Sequence, residues 1–250
     1  MHSPIARRFA QTFLFCLCTA SHAGEVQVAV AANFAGPLGR IGEGFTAATG
    51  HVLKVSAGPT GKFYTQILSG APFEVLIAAD DETPKKLIDE GHAVAGSNFT
   101  YAVGQLVLWS AQPGLVDERG TVLAGDGFSR LAIANPKVAP YGKAALEVLQ
   151  ALGLSARVTP RLVTGDSIAQ AYQFVASGNA EIGFVALSQV AVPGKPSIGS
   201  TWRVPQSMYG EIRQDAVLLK SGEDNAAARA LLDYIKGADA RAVIQSYGYR

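Results

Sequence analysis

The 250-residue chain has little charge, little histidine and almost no cysteine. Its two cysteines, Cys16 and Cys18, both fall in the first 23 residues, so a chain trimmed there has none. That excludes a disulfide framework, a zinc–thiolate site and thiol catalysis in the remainder. Asp, Glu, Lys and Arg make up 16% of residues, against about 25% in ordinary globular proteins. A formal net charge of +1 provides no general attraction to nucleic acid or to a membrane surface. Beyond the first 23 residues no apolar run approaches the about 20 residues needed to cross a bilayer. No solenoid-length repeat and no low-complexity tract is visible. What is abundant is glycine, at 27 residues, with hydrophobic residues at 48%, the composition of an α/β protein with a large core.

Residues 1–23 differ from the rest. Arg7 and Arg8 precede the apolar run Phe13 to Cys18, and Ser21-His22-Ala23 provides small residues at −3 and −1 of a cleavage point before Gly24. This is the pattern of a secretory signal peptide, whose apolar core is too short to span a membrane. Its removal takes two arginines and no acid, so the net charge passes from +1 to −1.

From Val26 onward the chain alternates strand and helix. Val26, Val28 and Val30 read as a buried strand, followed by a turn at Ala31-Ala32-Asn33. Phe34, Leu38, Ile41 and Phe45 then mark one helical face that ends at Gly50. Asn33 is the expected N-cap of that helix. A second strand (52–55) leads through the loop 56–61 to a short helix. Glu74 to Ala79 is a continuous apolar strand, and Thr83-Pro84 is expected to open the next helix with the threonine hydroxyl as its cap. Tyr101 to Trp109 reads as one long strand, with Pro113 to Arg130 as the connection to a second lobe. There the pattern resumes: a strand at 131–134 and a helix from Tyr141, a strand at 161–164 and a helix from Ile168, then a strand at 181–187. Ile212 to Lys220 returns to the first lobe, and two C-terminal helices part near Gly237. The expected fold is α/β: two α/β lobes with a ligand cleft between them, joined by two crossover segments. Lobe 1 comprises 24–103 and 211–250, and lobe 2 comprises 104–210.

Four turns follow a strand and open a helix: Ala32-Asn33, Pro59-Thr60-Gly61, Pro140-Tyr141-Gly142 and Asp166-Ser167-Ile168. Taken singly, each is explained by the backbone needs of a turn. Taken together on one cleft, they present helix N-termini and neutral donors, which suits a small, fully ionised oxyanion.

Motifs across the chain carry a family resemblance: AANF at 31–34, GPTGK at 58–62, SGAPFEVLIAADDETPKKL at 69–87, FTYAVGQLVLWS at 99–110, NPKVAPYG at 135–142 and GFVAL at 183–187. In these the sequence resembles the periplasmic molybdate-binding proteins of ABC importers, which have the type II periplasmic-binding-protein fold. The resemblance implies a periplasmic, non-enzymatic monomer without cofactor. Its ligand would be molybdate or tungstate, and its partners the transmembrane subunits of an ABC permease and, through them, a cytoplasmic ATPase. It also implies that Ala32, Asn33, Thr60, Tyr141 and Ile168 hold the oxyanion through its oxygens, with no direct metal ligand. Tyr141 and Ile168 would donate through their backbone N–H. Thr60 stands where the family usually has serine, and Ala32 where some relatives carry a hydroxyl. Ala186 stands where others place a ligand tyrosine, so that contact is not expected here.

Other candidates have plainer readings. Gly61-Lys62 resembles part of a phosphate-binding loop, but Ser56 and Phe63 break the pattern. Asp166 would accept a proton from an anion such as hydrogen phosphate, cap a helix or pair with a cation. His51 and His92 read as surface residues. No nucleophile–base pair suggests a hydrolase, and no charged clamp suggests an amino-acid binder. A binder of sulfate, phosphate or chromate is the alternative.

Overall fold

The computed structural model describes residues 23–196 and 198–250. The leader expected over 1–23 lies outside the described residues except for Ala23. In chain order the elements are β1 (Glu25–Ala31), α1 (Ala35–Thr49), β2 (Val52–Gly58), α2 (Thr60–Leu68), β3 (Val75–Ile77), α3 (Glu82–Asp89), β4 (Phe99–Gly104), β5 (Leu106–Ser110), β6 (Leu131–Ala134), α4 (Pro140–Ala151), α5 (Ser155–Val158), β7 (Leu162–Gly165), α6 (Ile168–Ala176), β8 (Ile182–Ala186), α7 (Leu187–Val190), β9 (Ser200–Arg203), β10 (Ile212–Leu218), α8 (Ala226–Lys236) and α9 (Ala238–Ser246).

They form two five-stranded sheets, ordered β2-β1-β3-β10-β4 and β7-β6-β8-β5-β9. In the first, β1, β2 and β3 are parallel and β10 is antiparallel to both its neighbours. In the second, β6, β7 and β8 are parallel and β5 is antiparallel to both its neighbours. The two sheets thus repeat one plan. In each, a central parallel strand (β1 or β6) lies between a strand that follows it through a helix and a third parallel strand.

The alternation in β1 decides its packing. Val26, Val28 and Val30 face α1, meeting Phe34, Leu38, Ile41 and Phe45, while Ala29 faces the other layer with Phe63, Ile67 and Leu87. A strand covered on both faces needs apolar residues at both parities, as this one has from Val28 to Ala31. Gly50 ends α1 at φ 76°, and its N–H reaches the Thr46 carbonyl at 2.8 Å. That left-handed turn favours glycine.

Three expectations are corrected. The run Tyr101 to Trp109 is not one strand: β4 pairs with β10 in the first sheet, and β5 pairs with β8 and β9 in the second. The chain therefore changes lobe at Gln105, whose side chain donates to the Gly248 carbonyl and whose own carbonyl accepts from Leu187 N–H. β5 is buried throughout and β4 only in part, but the apolar residues run on with no break that marks the crossing. Residues 113–130 are accordingly not the passage between lobes: Val116, Leu123 and Phe128 are buried in the second core. Finally, α3 starts at Glu82, and it is Asp80 that accepts from the Thr83 N–H at 2.8 Å, not the Thr83 hydroxyl that caps.

The return crossing, between β9 and β10, packs on the first. Leu106 N–H donates to the Tyr209 hydroxyl at 3.1 Å and Val204 N–H to the Leu106 carbonyl at 3.3 Å.

Candidate functional site

The C-terminal ends of β1 and β2 in one sheet face those of β6 and β7 in the other, and a helical segment starts after each. Open parallel sheets bind ligands at such strand ends. Ala32, Asn33, Thr60, Tyr141 and Ile168 all line one cavity there. The rest of its wall is Ala31, Gly58, Pro59, Ala79, Ala139 and Pro140, so no charged side chain borders it. Its cavity volume is about 10 Å³, far below the about 300–1,000 Å³ typical of organic-ligand pockets.

The donors are set by the helix starts. Thr60, Tyr141 and Ile168 lie in the first turns of α2, α4 and α6, where a backbone N–H has no intrahelical acceptor. Among the described residues no loop carbonyl takes these N–H groups. Pro140, opening α4, has no N–H to lose and presets the backbone for helix. Each helix start adds the positive end of its dipole. The Thr60 hydroxyl, 1% exposed, accepts from Ala79 N–H at 3.0 Å. One of its two lone pairs is occupied there, and its own proton is left to point elsewhere.

Asn33 departs from expectation. It lies in a 3-10 turn (Ala32–Phe34) ahead of α1, and its side chain caps nothing. Instead its Nδ2 donates to Gln214 Oε1 and to the Tyr249 hydroxyl, both at 2.9 Å. Its carbonyl accepts from the Tyr249 and Ser188 hydroxyls, also at 2.9 Å. The side-chain amide protons thus face the core, which leaves Asn33 its backbone N–H to offer the cavity. Ala32 adds a methyl wall and no side-chain donor.

Behind the cavity Gln214 organises a buried polar network. Its Oε1 also accepts from Tyr101 at 2.9 Å, and its Nε2 donates to the Tyr141 hydroxyl at 3.0 Å. Burial holds the phenols of Tyr101, Tyr141 and Tyr249 above the ordinary tyrosine value, so the network stays neutral. Gly104 sits against it, because a Cβ there would collide with Tyr141 and Gln214. Gln214, Tyr249 and Ser188 were not singled out from sequence. Gln214 alone left a trace: it shares the inward parity of Ile212 in β10.

The remaining candidates resolve by position. Asp166 does not line the cavity. It pairs with Lys62 at 2.7 Å, and Ser167 caps α6 by accepting from Gln170 N–H. The Gly61 N–H goes to the Val138 carbonyl, so Gly61-Lys62 cradles no phosphate. His51 accepts from Gly24 N–H through Nδ1 at 2.9 Å. Ala186 is fully buried at the end of β8. An adjoining charged cleft of about 290 Å³ holds Asp80, Asp81, Lys137, Lys143, Glu147 and Arg213. Its groups are mostly occupied: Arg213 pairs with Asp81, and Glu147 accepts from Gly210 N–H.

Two α/β lobes closed over a small uncharged cavity at facing strand ends define the class of two-lobed solute-binding proteins. The chain belongs to the bacterial extracellular solute-binding protein family, whose profile matches residues 26–250. It is 60% identical to the molybdate-binding protein ModA of Azotobacter vinelandii over 93% of this chain and 92% of that one. It is 57% identical to ModA of Rhodobacter capsulatus, over 91% and 88% of the two chains. The solved periplasmic molybdate-binding protein of Azotobacter vinelandii superposes with a TM-score of 0.88 at 44% identity, covering 90% of this chain and 98% of that one. The sulfate-binding protein SubI of Mycobacterium tuberculosis shares the fold at a TM-score of 0.69 but only 14% identity.

Proposed function

We propose that this protein captures molybdate, and tungstate with it, in the periplasm and delivers it to the transmembrane subunits of an ABC permease powered by a cytoplasmic ATPase. The observation that carries this reading is the convergence of Ala32, Asn33, Thr60, Tyr141 and Ile168 on one cavity without charged walls. The identity of 60% to a ModA protein over nearly the whole chain supports it.

In this reading the leader directs export, and lobe 1 (24–103 and 211–250) closes on lobe 2 (104–210) about the crossings at Gln105 and 204–211. The bound oxyanion is held by N–H groups of Asn33, Thr60, Tyr141 and Ile168 and by the Thr60 hydroxyl, with Ala32 as wall. No bond of the ion is broken and no cofactor takes part. Every side-chain group offered is a donor, which favours a dianion that carries no proton. Hydrogen phosphate would bring a proton to a site without a carboxylate to receive it. Sulfate shares charge and shape with molybdate, so its rejection falls to cavity size. Calorimetry of the protein from Gly24 onward, with molybdate, tungstate, sulfate and phosphate in turn, tests the reading. Tight binding of the first two and weak binding of the others is expected; a preference for sulfate or phosphate would overturn it.

A further inference from the structure

Lys62 and Asp166 stand just outside the cavity wall, Lys62 two residues after Thr60 and Asp166 two before Ile168. They belong to opposite lobes and meet at the solvent edge, with Nζ 2.7 Å from Oδ2 and side chains 49% and 71% exposed. Next to them Gly61 N–H donates to the Val138 carbonyl at 3.0 Å, again from lobe to lobe. Glycine at 61 is explained by this approach. A Cβ there would lie 3.0 Å from Val138 Cα and 3.2 Å from its carbonyl oxygen. Glycine otherwise weakens a helix, and the φ of Gly61 is not positive. None of these contacts would survive separation of the lobes.

We propose that Gly61-Lys62, closing on Val138 and Asp166, is a latch that sets how long the loaded protein stays closed. The inference rests on the capture reading and adds to it a pair of residues that govern release without touching the ion. The latch has a signature that simple attraction lacks. If Lys62 and Asp166 acted only through their field on a bound dianion, removing Asp166's negative charge would slow release. As a latch, removing either partner speeds it.

The test loads the full mature protein with isotopically labelled molybdate, chases with excess unlabelled molybdate and measures retained label over time. Lys62→Met and Asp166→Asn should each release about two- to fivefold faster, the range of one exposed ion pair. The swap Lys62→Asp/Asp166→Lys should return to within about twofold of wild type. In 1 M salt, where the Debye length is about 3 Å, the differences should fade. Gly61→Ala should release faster still while the melting temperature of the ligand-free protein holds or rises, since alanine favours the helix. Unchanged or slower release in Asp166→Asn would overturn the latch. So would a swap as fast as the single variants, or a drop in ligand-free melting of Gly61→Ala. Wild-type protein that binds no molybdate in calorimetry would overturn the capture reading and the latch together. Normal wild-type binding without the predicted release pattern would overturn the latch alone.

Discussion

Ile168→Pro isolates one backbone donor. Ile168 is the first residue of α6, and Ser167 before it has φ −138° and ψ 169°, the extended conformation that a following proline requires. Proline at the first helical position is well tolerated because the N–H there has no intrahelical partner. The Ser167 cap onto Gln170 N–H stays in place, as does the Ile168 carbonyl that accepts from Gln189 Nε2 at 3.2 Å. The change removes one N–H and part of a side chain that is 4% exposed. Loss of a hydrogen bond to a charged group costs about 1.5–3 kcal/mol, or about ten- to 150-fold in affinity. Ile168→Ala is the control. It forfeits more apolar burial, with about 2–5 kcal/mol of stability at risk, but keeps the N–H. Calorimetry with molybdate should show the proline variant weakened by at least about tenfold and the alanine variant near wild type. Circular dichroism melts should show the alanine variant as the less stable of the two. A folded proline variant with wild-type affinity, or an alanine variant just as weak, would refute the role of this helix start.

Thr60→Val should lose about tenfold or more in molybdate affinity and also melt earlier, because Ala79 N–H loses its acceptor; Thr60→Ser should restore both. Tyr249→Phe leaves the cavity wall intact but orphans one Asn33 amide proton, and should cost about 1–3 kcal/mol of stability in denaturant melts; unchanged stability would show that the network is idle. Burial, with the charges of Glu82 and Asp81 adding to it, raises the Asp80 carboxyl above the ordinary value despite the Thr83 hydrogen bonds. The folded state then holds its proton to higher pH than the unfolded chain, so stability falls as pH rises through the interval between the two. Asp80→Asn should therefore raise the melting temperature at pH 7 and give no gain below the ordinary carboxylate range; a gain independent of pH would contradict this.

The strand-turn-helix units were legible because their determinants are local. Val26 to Val30, the spacing Phe34-Leu38-Ile41-Phe45 and Gly50 all act within one βα unit. The placement of Thr60, Tyr141 and Ile168 on the cavity follows from the same logic, since a residue that opens a helix after a strand stands at the strand's C-terminal end. What local pattern lacks is partnership at long range. Asn33 has the composition of a cap, but Gln214 and Tyr249, its partners, lie 181 and 216 residues away. Four buried hydrogen bonds with those residues and Ser188 outweigh one cap. The crossing at Gln105 is hidden for a related reason: hydrophobic periodicity reports burial, not which sheet a strand joins, even though β5 is buried more deeply than β4.

The contrast between a charge-free cavity and a charged rim has a physical rationale in a protein that must both hold and surrender an ion. A hydrogen bond is lost once donor and acceptor part beyond about 3.5 Å. A cation in the wall would still attract a unit negative charge at 10 Å with about 1.7 kcal/mol at an effective dielectric of 20, and a dianion with twice that. In the proposed capture, helix-start N–H groups and the Thr60 hydroxyl would therefore release their hold within the first few ångströms of lobe opening. An arginine in the same wall would keep pulling through the whole movement. The ion pair of Lys62 with Asp166 is neutral as a pair and bridges the lobes rather than the ligand. In the proposed arrangement charge acts on closure and donors act on the ion, so opening the cleft would end both interactions in the same motion.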